Sequence, residues 1–144
     1  MKIHYFMDWF YNGLPKKLSV LLAADIVCRK SLVMISANPL STNMSVGITE
    51  RSWLDQADIT FDEYRLIDYS MQKETAQKVV ENASVIFLLG GNPSEQKALL
   101  IEYALPSLIK ASNAIVLGTS AGAMNMSSKW VYDYKVEQGS LNAS

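Results

Sequence analysis

The sequence predicts an α/β fold: a three-layer sandwich built on a mostly parallel central sheet. Five short apolar runs with strand character alternate with segments of helical length, the pattern of successive βαβ units. Two of those runs, residues 84–89 and 114–118, are apolar throughout, as strands covered by helices on both faces must be. The chain has 144 residues and is 49% hydrophobic, which suits a single domain around one sizeable core.

Taken in order, the first strand is expected at 2–7 (KIHYFM) and the first helix over 14–28, where Leu18, Leu21, Leu22 and Ile26 recur at helical spacing. The second strand falls at 32–37. A helix over 43–57 follows, carrying Met44, Ile48 and Leu54 in a less regular pattern. The run at 61–68 (FDEYRLID) is more polar, which places it near an edge of the sheet. Ala76, Val79 and Val80 mark a helix over 72–82. The strand at 84–89 leads into a helical segment over 93–111 with Leu99, Leu100, Tyr103 and Leu108 inward, and Pro106 predicts a kink or break within it. After the strand at 114–118 and a short helix, WVYDYKV reads as one more strand and EQGSLNAS as loop.

Charge and composition exclude several roles. With 13 Lys+Arg against 14 Asp+Glu, the chain has no basic excess to neutralise phosphates, so nucleic acid is not an expected partner. No apolar run reaches the 18 or more residues that would span a bilayer. Asp8 interrupts the amino-terminal stretch where a signal peptide needs continuous apolar residues. The lone cysteine, Cys28, cannot form an internal disulfide. Together these features predict a cytoplasmic protein. No His/Cys cluster has metal-ligand spacing, and no cofactor is expected. The single histidine, His4, sits early in the first strand, towards the amino edge of the sheet, and is expected to be a partly buried strand residue.

Two motifs carry chemistry. Gly118-Thr119-Ser120-Ala121-Gly122 has the G-x-S-x-G form, directly after an apolar strand and directly before a plausible helix. That is the context of a nucleophile elbow, in which a strained turn lifts the serine hydroxyl clear of the sheet and the next helix points its free N–H groups at it. Such a turn predicts Ser120 backbone angles outside the common regions. The second motif is Gly90-Gly91-Asn92-Pro93-Ser94-Glu95, after the strand at 84–89. Asn92 as N-cap, Pro93 at the first helical position and Glu95 three residues after the cap make a capping-box-like start. Capping leaves the two glycines unexplained. Both loops should open on the carboxyl edge of the sheet, where ligands bind in such folds. There Gly91 and Ala121 N–H groups can form an oxyanion hole beside Ser120. Gly90, Asn92, Gly118, Thr119 and Gly122 complete the expected substrate-binding loop.

The two motifs, with some twenty-five residues of mostly helix between them, resemble the S51 serine peptidases, which include peptidase E (an aspartyl dipeptidase) and cyanophycinase. The resemblance implies a class I glutamine amidotransferase-like (flavodoxin-like) fold with Ser120 as catalytic nucleophile and Gly91 and Ala121 as oxyanion donors. Asn125, one turn into the helix, resembles a position in some members to which no role attaches. Family members take their base from a histidine some tens of residues after the serine. Here 24 residues follow Ser120 and none is histidine. The expectation is therefore that 1–144 forms the N-terminal part of a longer peptidase S51-like domain, or else that the base has been lost.

The expected function is serine-type hydrolysis of small peptides through an acyl-enzyme, incomplete in this chain. The alternative is a non-catalytic ligand-binding or regulatory relative of the same fold; an ordinary α/β-hydrolase esterase fits the Gly-Gly-Asn loop less well. A chain lacking closing elements would expose apolar surface, so self-association is expected. Recognition of an amino-terminal aspartate would need a cation in the crevice, and the sequence does not place Arg29, Arg51 or Arg65 there. Cys28, beside Arg29 and Lys30, is expected to be a packing residue; Asp58, Asp62 and Glu63, a solvated strand edge. Tyr5, Phe6, Trp9, Phe10 and Tyr11 are expected to supply core, a helix-covering lid or a dimer contact. Asp133 and Glu137 lie where a third triad member could come from.

Overall fold

A computed structural model describes residues 3–41, 45–127, 129–132 and 135–138, the last two stretches by backbone only. Five strands form one sheet in the order β1-β5-β4-β2-β3, where β1 is His4–Met7, β2 Ser31–Ala37, β3 Glu63–Ile67, β4 Val85–Gly91 and β5 Ile115–Thr119. All four pairings are parallel. β4 and β5 are internal and the polar β3 is an edge, as their compositions predict.

Strand side chains alternate between two cores. From β4, Val85, Phe87 and Leu89 join Leu22 and Ile26 near α1 (Lys16–Asp25) and Trp53 and Leu54 of α2 (Ile48–Gln56). Ile86 and Leu88 point the other way, to Ala76 and Val80 of α3 (Lys73–Glu81), Leu99 and Leu100 of α4 (Pro93–Glu102), Ile109 of α5 (Pro106–Ala111) and Met126 of α6 (Ala121–Met126). Of the described helices, two thus cover one face and four the other. The helical segment at 93–111 is broken before Pro106: Ala104 turns to φ 53° and α5 starts at the proline. Each fully buried Leu, Ile or Phe in these layers contributes roughly 1.5–3 kcal/mol of burial free energy.

Three helical details differ from expectation. Leu21 is 56% exposed, because Leu22 and Ile26 set the inward stripe of α1 and its end. Ile48 is 59% exposed, because α2 begins only after Gly47, which caps it in the left-handed conformation; that phase turns Glu50, Trp53 and Leu54 inward. Met44 lies outside the described residues. The tail differs too. WVYDYKV contributes to two strands, not one: β6 (Lys129–Tyr132) and β7 (Lys135–Gln138) pair antiparallel as a separate hairpin. Asp133 lies outside the described residues, and Glu137 is on β7.

Among the described glycines, those with the least room for a Cβ lie beneath Ser120. A Cβ on Gly122 would stand 1.9 Å from the Leu88 carbonyl oxygen, and one on Gly118 would stand 2.4 Å from Met126 Sδ and 2.8 Å from the Gly122 carbonyl carbon. Helix α6 therefore rests directly on β4 and β5, backbone against backbone. Gly122→Ala has no flexible neighbour to displace, since the clash is with a strand carbonyl. We expect it to cost about 3 kcal/mol or more, at the upper end of overpacking effects, read as a lowered urea midpoint at unchanged m-value.

Candidate functional site

The site lies at the carboxyl edge of the sheet. Ser120 follows β5 and precedes α6 with φ 53° and ψ −112°, a conformation that L-residues adopt only under constraint. The constraint is visible on both sides. Ser120 N–H donates to Met7 O at 3.1 Å, carrying the β1–β5 ladder one residue past Thr119, and the Thr119 hydroxyl donates to Asp8 O at 2.5 Å. On the far side Ala121 and Gly122, the first residues of α6, are buried, Gly122 against β4. Ser120 itself is exposed.

The double glycine has a physical explanation. A Cβ on Gly90 would meet the Trp9 ring at 3.2 Å and Ser120 Cβ at 3.6 Å, so Gly90 is where three segments converge. Gly91 has φ +143° and would drive a Cβ to 2.9 Å from both Ala37 Cβ and Asn38 Nδ2. Asn92 caps α4 as expected, accepting from Ser94 N–H at 3.0 Å and Glu95 N–H at 3.1 Å. The reciprocal half of a capping box is not made: Asn92 N–H donates to Ala37 O at 3.1 Å, tying the loop to β2.

Of the expected loop residues, Gly90, Gly91 and Asn92 reach the surface, together with Ser120. Gly118, Thr119 and Gly122 do not. This corrects their expected part in a substrate-binding loop: all three are buried, the glycines by α6–sheet contact and Thr119 by its bond to Asp8, and they set the turn that presents Ser120. Ala121 is buried as a side chain and follows Ser120 directly.

Two buried polar groups support this edge. Gln96, fully buried on α4, donates from Nε2 to Ile35 O at 3.0 Å and Leu89 O at 3.1 Å, bridging β2 and β4 where their register shifts. Its Oε1 accepts from Asn125 Nδ2 at 3.0 Å, and the same amide donates to Pro93 O at 3.0 Å. Asn125 thereby acquires a structural role, linking the helix behind Ser120 to the helix behind the Gly90–Gly91 turn.

The second group is Glu50, missed in the sequence reading. It is 4% exposed, and its Oε2 accepts the Gly90 N–H at 3.1 Å. Burial pushes its carboxyl above the ordinary 4.5, with its own N–H and that of Gly90 pulling partly back. Glu50, Trp9, Asn38, Gly47 and Gly90 line a cleft of about 420 Å³ between the loops after β2 and β4. The chain reverses its winding between these strands, the place where open α/β sheets bind ligands. No helical periodicity singles Glu50 out. Its one local signal is an acidic residue in the first turn of a helix after a glycine cap.

The remaining candidates lie elsewhere. His4 pairs opposite Val116, three residues before Met7 and so roughly 10 Å down the strand from the edge. Arg29 donates to Ile26 O and Ala23 O, Arg51 stacks over the Tyr64 ring at 3.5 Å, and Arg65 pairs with Glu63 at 3.1 Å. Asp58, Asp62 and Glu63 are exposed. Trp9 and Phe10 both pack edge-to-face on Trp53, while Phe6 and Tyr11 are exposed. Cys28 is exposed, a correction to the packing role expected of it, because the chain leaves the core after Ile26; its Sγ lies 3.2 Å from Ser84 Oγ. That hydroxyl and the Lys30 N–H hold the thiol below its usual range. Among the described residues no group of three or more His, Cys, Asp or Glu is placed to hold a metal, and no helix is long and apolar enough to cross a membrane.

The raised Glu50 carboxyl has a definite sign in stability. Below its ordinary 4.5 the group is neutral folded and unfolded and costs nothing; as pH rises above that value the unfolded chain ionises first, so native stability is lost until the folded carboxyl also ionises. Glu50→Gln keeps an acceptor for Gly90 and removes the charge. It should melt higher than wild type at pH 7 and equally at pH 4. Gln96→Leu, in contrast, should cost about 2–4 kcal/mol at either pH, because two buried carbonyls and the Asn125 amide lose partners.

No family model and no curated protein matches the chain. Solved structures of similar fold include two. One is named as a candidate peptidase E protein from Listeria monocytogenes EGD-e, with a TM-score of 0.70 at 15% identity over 100% of this chain and 76% of that one. The other is a peptidase from an acI-B1 Actinobacterium, with a TM-score of 0.65 at 20% identity over 97% of this chain and 63% of that one. The α/β sandwich with its parallel five-stranded sheet is thus an architecture shared with solved peptidase structures, of which this chain spans about three quarters and under two thirds in length.

Proposed function

We propose that this chain carries the nucleophile-bearing portion of a serine hydrolase that cleaves small peptides by acyl transfer, of the S51 peptidase E type. The observation that carries the reading is the exposed Ser120 at φ 53°, a strained conformation at the carboxyl edge of the sheet. Strain of this kind costs on the order of 1–3 kcal/mol, persists only where the surrounding structure over-determines it, and clusters at active sites. Similarity in fold to the two peptidase structures supports the same reading.

In this mechanism Ser120 Oγ attacks the scissile carbonyl carbon and its proton passes to a base. The oxyanion sits between the N–H groups of Gly91 and Ala121; the Gly90 amide is already taken by Glu50. The carbon–nitrogen bond then breaks, the amine leaves with the proton, and water hydrolyses the ester. A serine hydroxyl needs an adjacent base, and His4 lies inside β1. In this reading the base is a histidine from outside these 144 residues. The alternative, a ligand-binding relative without catalysis, is favoured by that same displacement of His4.

Purified 144-residue chain should turn over dipeptides about 10²–10⁴-fold more slowly than a longer form carrying a downstream histidine, since that is the usual contribution of a general base. Fluorophosphonate labelling of the longer form should be abolished by Ser120→Ala and untouched by His4→Ala. Peptide binding with no labelling of Ser120 in any form would establish the ligand-binding alternative instead.

A further inference from the structure

Helix α1 carries more apolar surface than its own domain covers. Its inward stripe is complete: Leu22 and Ile26 are fully buried, and Leu18 is partly buried against the same core. Yet its outward face is apolar too. Val20 is 60% exposed and Leu21 56%, with exposed Ala24 one turn on and Val27, 85% exposed, just past the helix end. Residues 17, 20, 21, 24 and 27 recur at helical spacing, so they lie along one stripe. A helix apolar all round is normally a buried helix, and here the outer side stands open to solvent.

The charges of α1 are a second anomaly. Lys16 and Lys17 stand in its first turn and Asp25 is its last residue, with no side-chain cap at Pro15. That reverses what the helix dipole favours, which is acid at the amino end and base at the carboxyl end. Asp25 is held in place by the Tyr5 hydroxyl, which donates to its Oδ2.

We infer that the outer face of α1 is the contact surface for a second copy of this chain, the two α1 helices packing antiparallel about a two-fold axis beside Val20 and Leu21. A two-fold contact needs a patch that complements itself. Here the apolar stripe meets its own copy, Val20 against the partner's Leu21, and the small Ala24 lets the helices approach. The antiparallel sense lays Lys16 and Lys17 beside the partner's Asp25 and the negative end of its helix, so charges misplaced within one chain are correctly placed across the pair. Ten residues make a helix about 15 Å long, which puts the contact at the small end of specific interfaces and the dimer in the micromolar range.

Sedimentation velocity of the 144-residue chain between about 1 and 100 μM should show a reversible monomer–dimer equilibrium. Leu21→Glu, at an exposed position, should weaken association about tenfold or more and leave the melting temperature of the dilute chain unchanged; Val20→Glu should do the same. Lys17→Glu separates the contact from a role inside one chain. An acid suits the first turn, so this variant should melt no lower than wild type, yet associate about tenfold more weakly. Oxidation reads the orientation. In a Cys28→Ser background, Leu21→Cys puts the only thiol beside the two-fold axis and should give a covalent dimer. Wild-type Cys28 lies on the order of 20 Å from its copy in this arrangement and should not cross-link. A monomer at every concentration, a dimer untouched by Leu21→Glu and Val20→Glu, a Lys17→Glu variant that associates like wild type, or cross-linking through Cys28 and not through the Leu21→Cys variant would overturn the contact.

Discussion

The contact between Gly122 and the Leu88 carbonyl governs the rest of this molecule. A helix normally stands off a sheet by the length of its side chains. Here α6 touches β4 at Gly122 with no side chain between them, because any Cβ at that position would overlap a strand carbonyl oxygen. Gly118 completes the fit from β5. The chain must then pass from strand to helix within one residue, and that residue, Ser120, takes up the strain at φ 53°. The exposed hydroxyl is the consequence of close packing beneath it, not of a flexible loop above it.

That geometry matters only because the neighbouring turn is fixed as firmly. Gln96 binds the ends of β2 and β4 from one face, and Glu50 binds Gly90 from the other. Asn125 joins the first of these to α6. Both faces of the sheet therefore hold the same edge by buried polar groups, which tolerate little displacement because a lost partner leaves a desolvated dipole behind. Trp9 is carried over Gly90 by the bonds joining the end of β1 to β5, and its stacking on Trp53 links it to the helix that carries Glu50.

An edge built this way combines a strained serine with a buried carboxylate on either side of one glycine. Burial disfavours the charged form of Glu50, yet two backbone N–H groups keep it oriented. Such a group is costly as packing, and losing either N–H would leave a desolvated carboxylate behind.

Much of this was legible in the sequence. The βαβ alternation, the internal position of the two wholly apolar strands, the break at Pro106, the Asn92 cap and the strained turn at Ser120 all rest on local pattern: periodicity, a missing N–H, a side-chain acceptor, a glycine-flanked serine. The double glycine was legible as an anomaly without a cause. Tertiary structure alone decided that Gly118, Thr119 and Gly122 are buried, that Leu21, Ile48 and Cys28 are exposed, that the tail pairs as a hairpin, and that Glu50 reaches Gly90 across forty residues of chain. The division has one physical reason. Backbone conformation responds to neighbours within a turn or a strand, so residue order expresses it directly. Burial and partnership depend on which distant segment arrives at the same place, and a glutamate in the first turn of a helix looks the same whether water or a strand end lies beyond it.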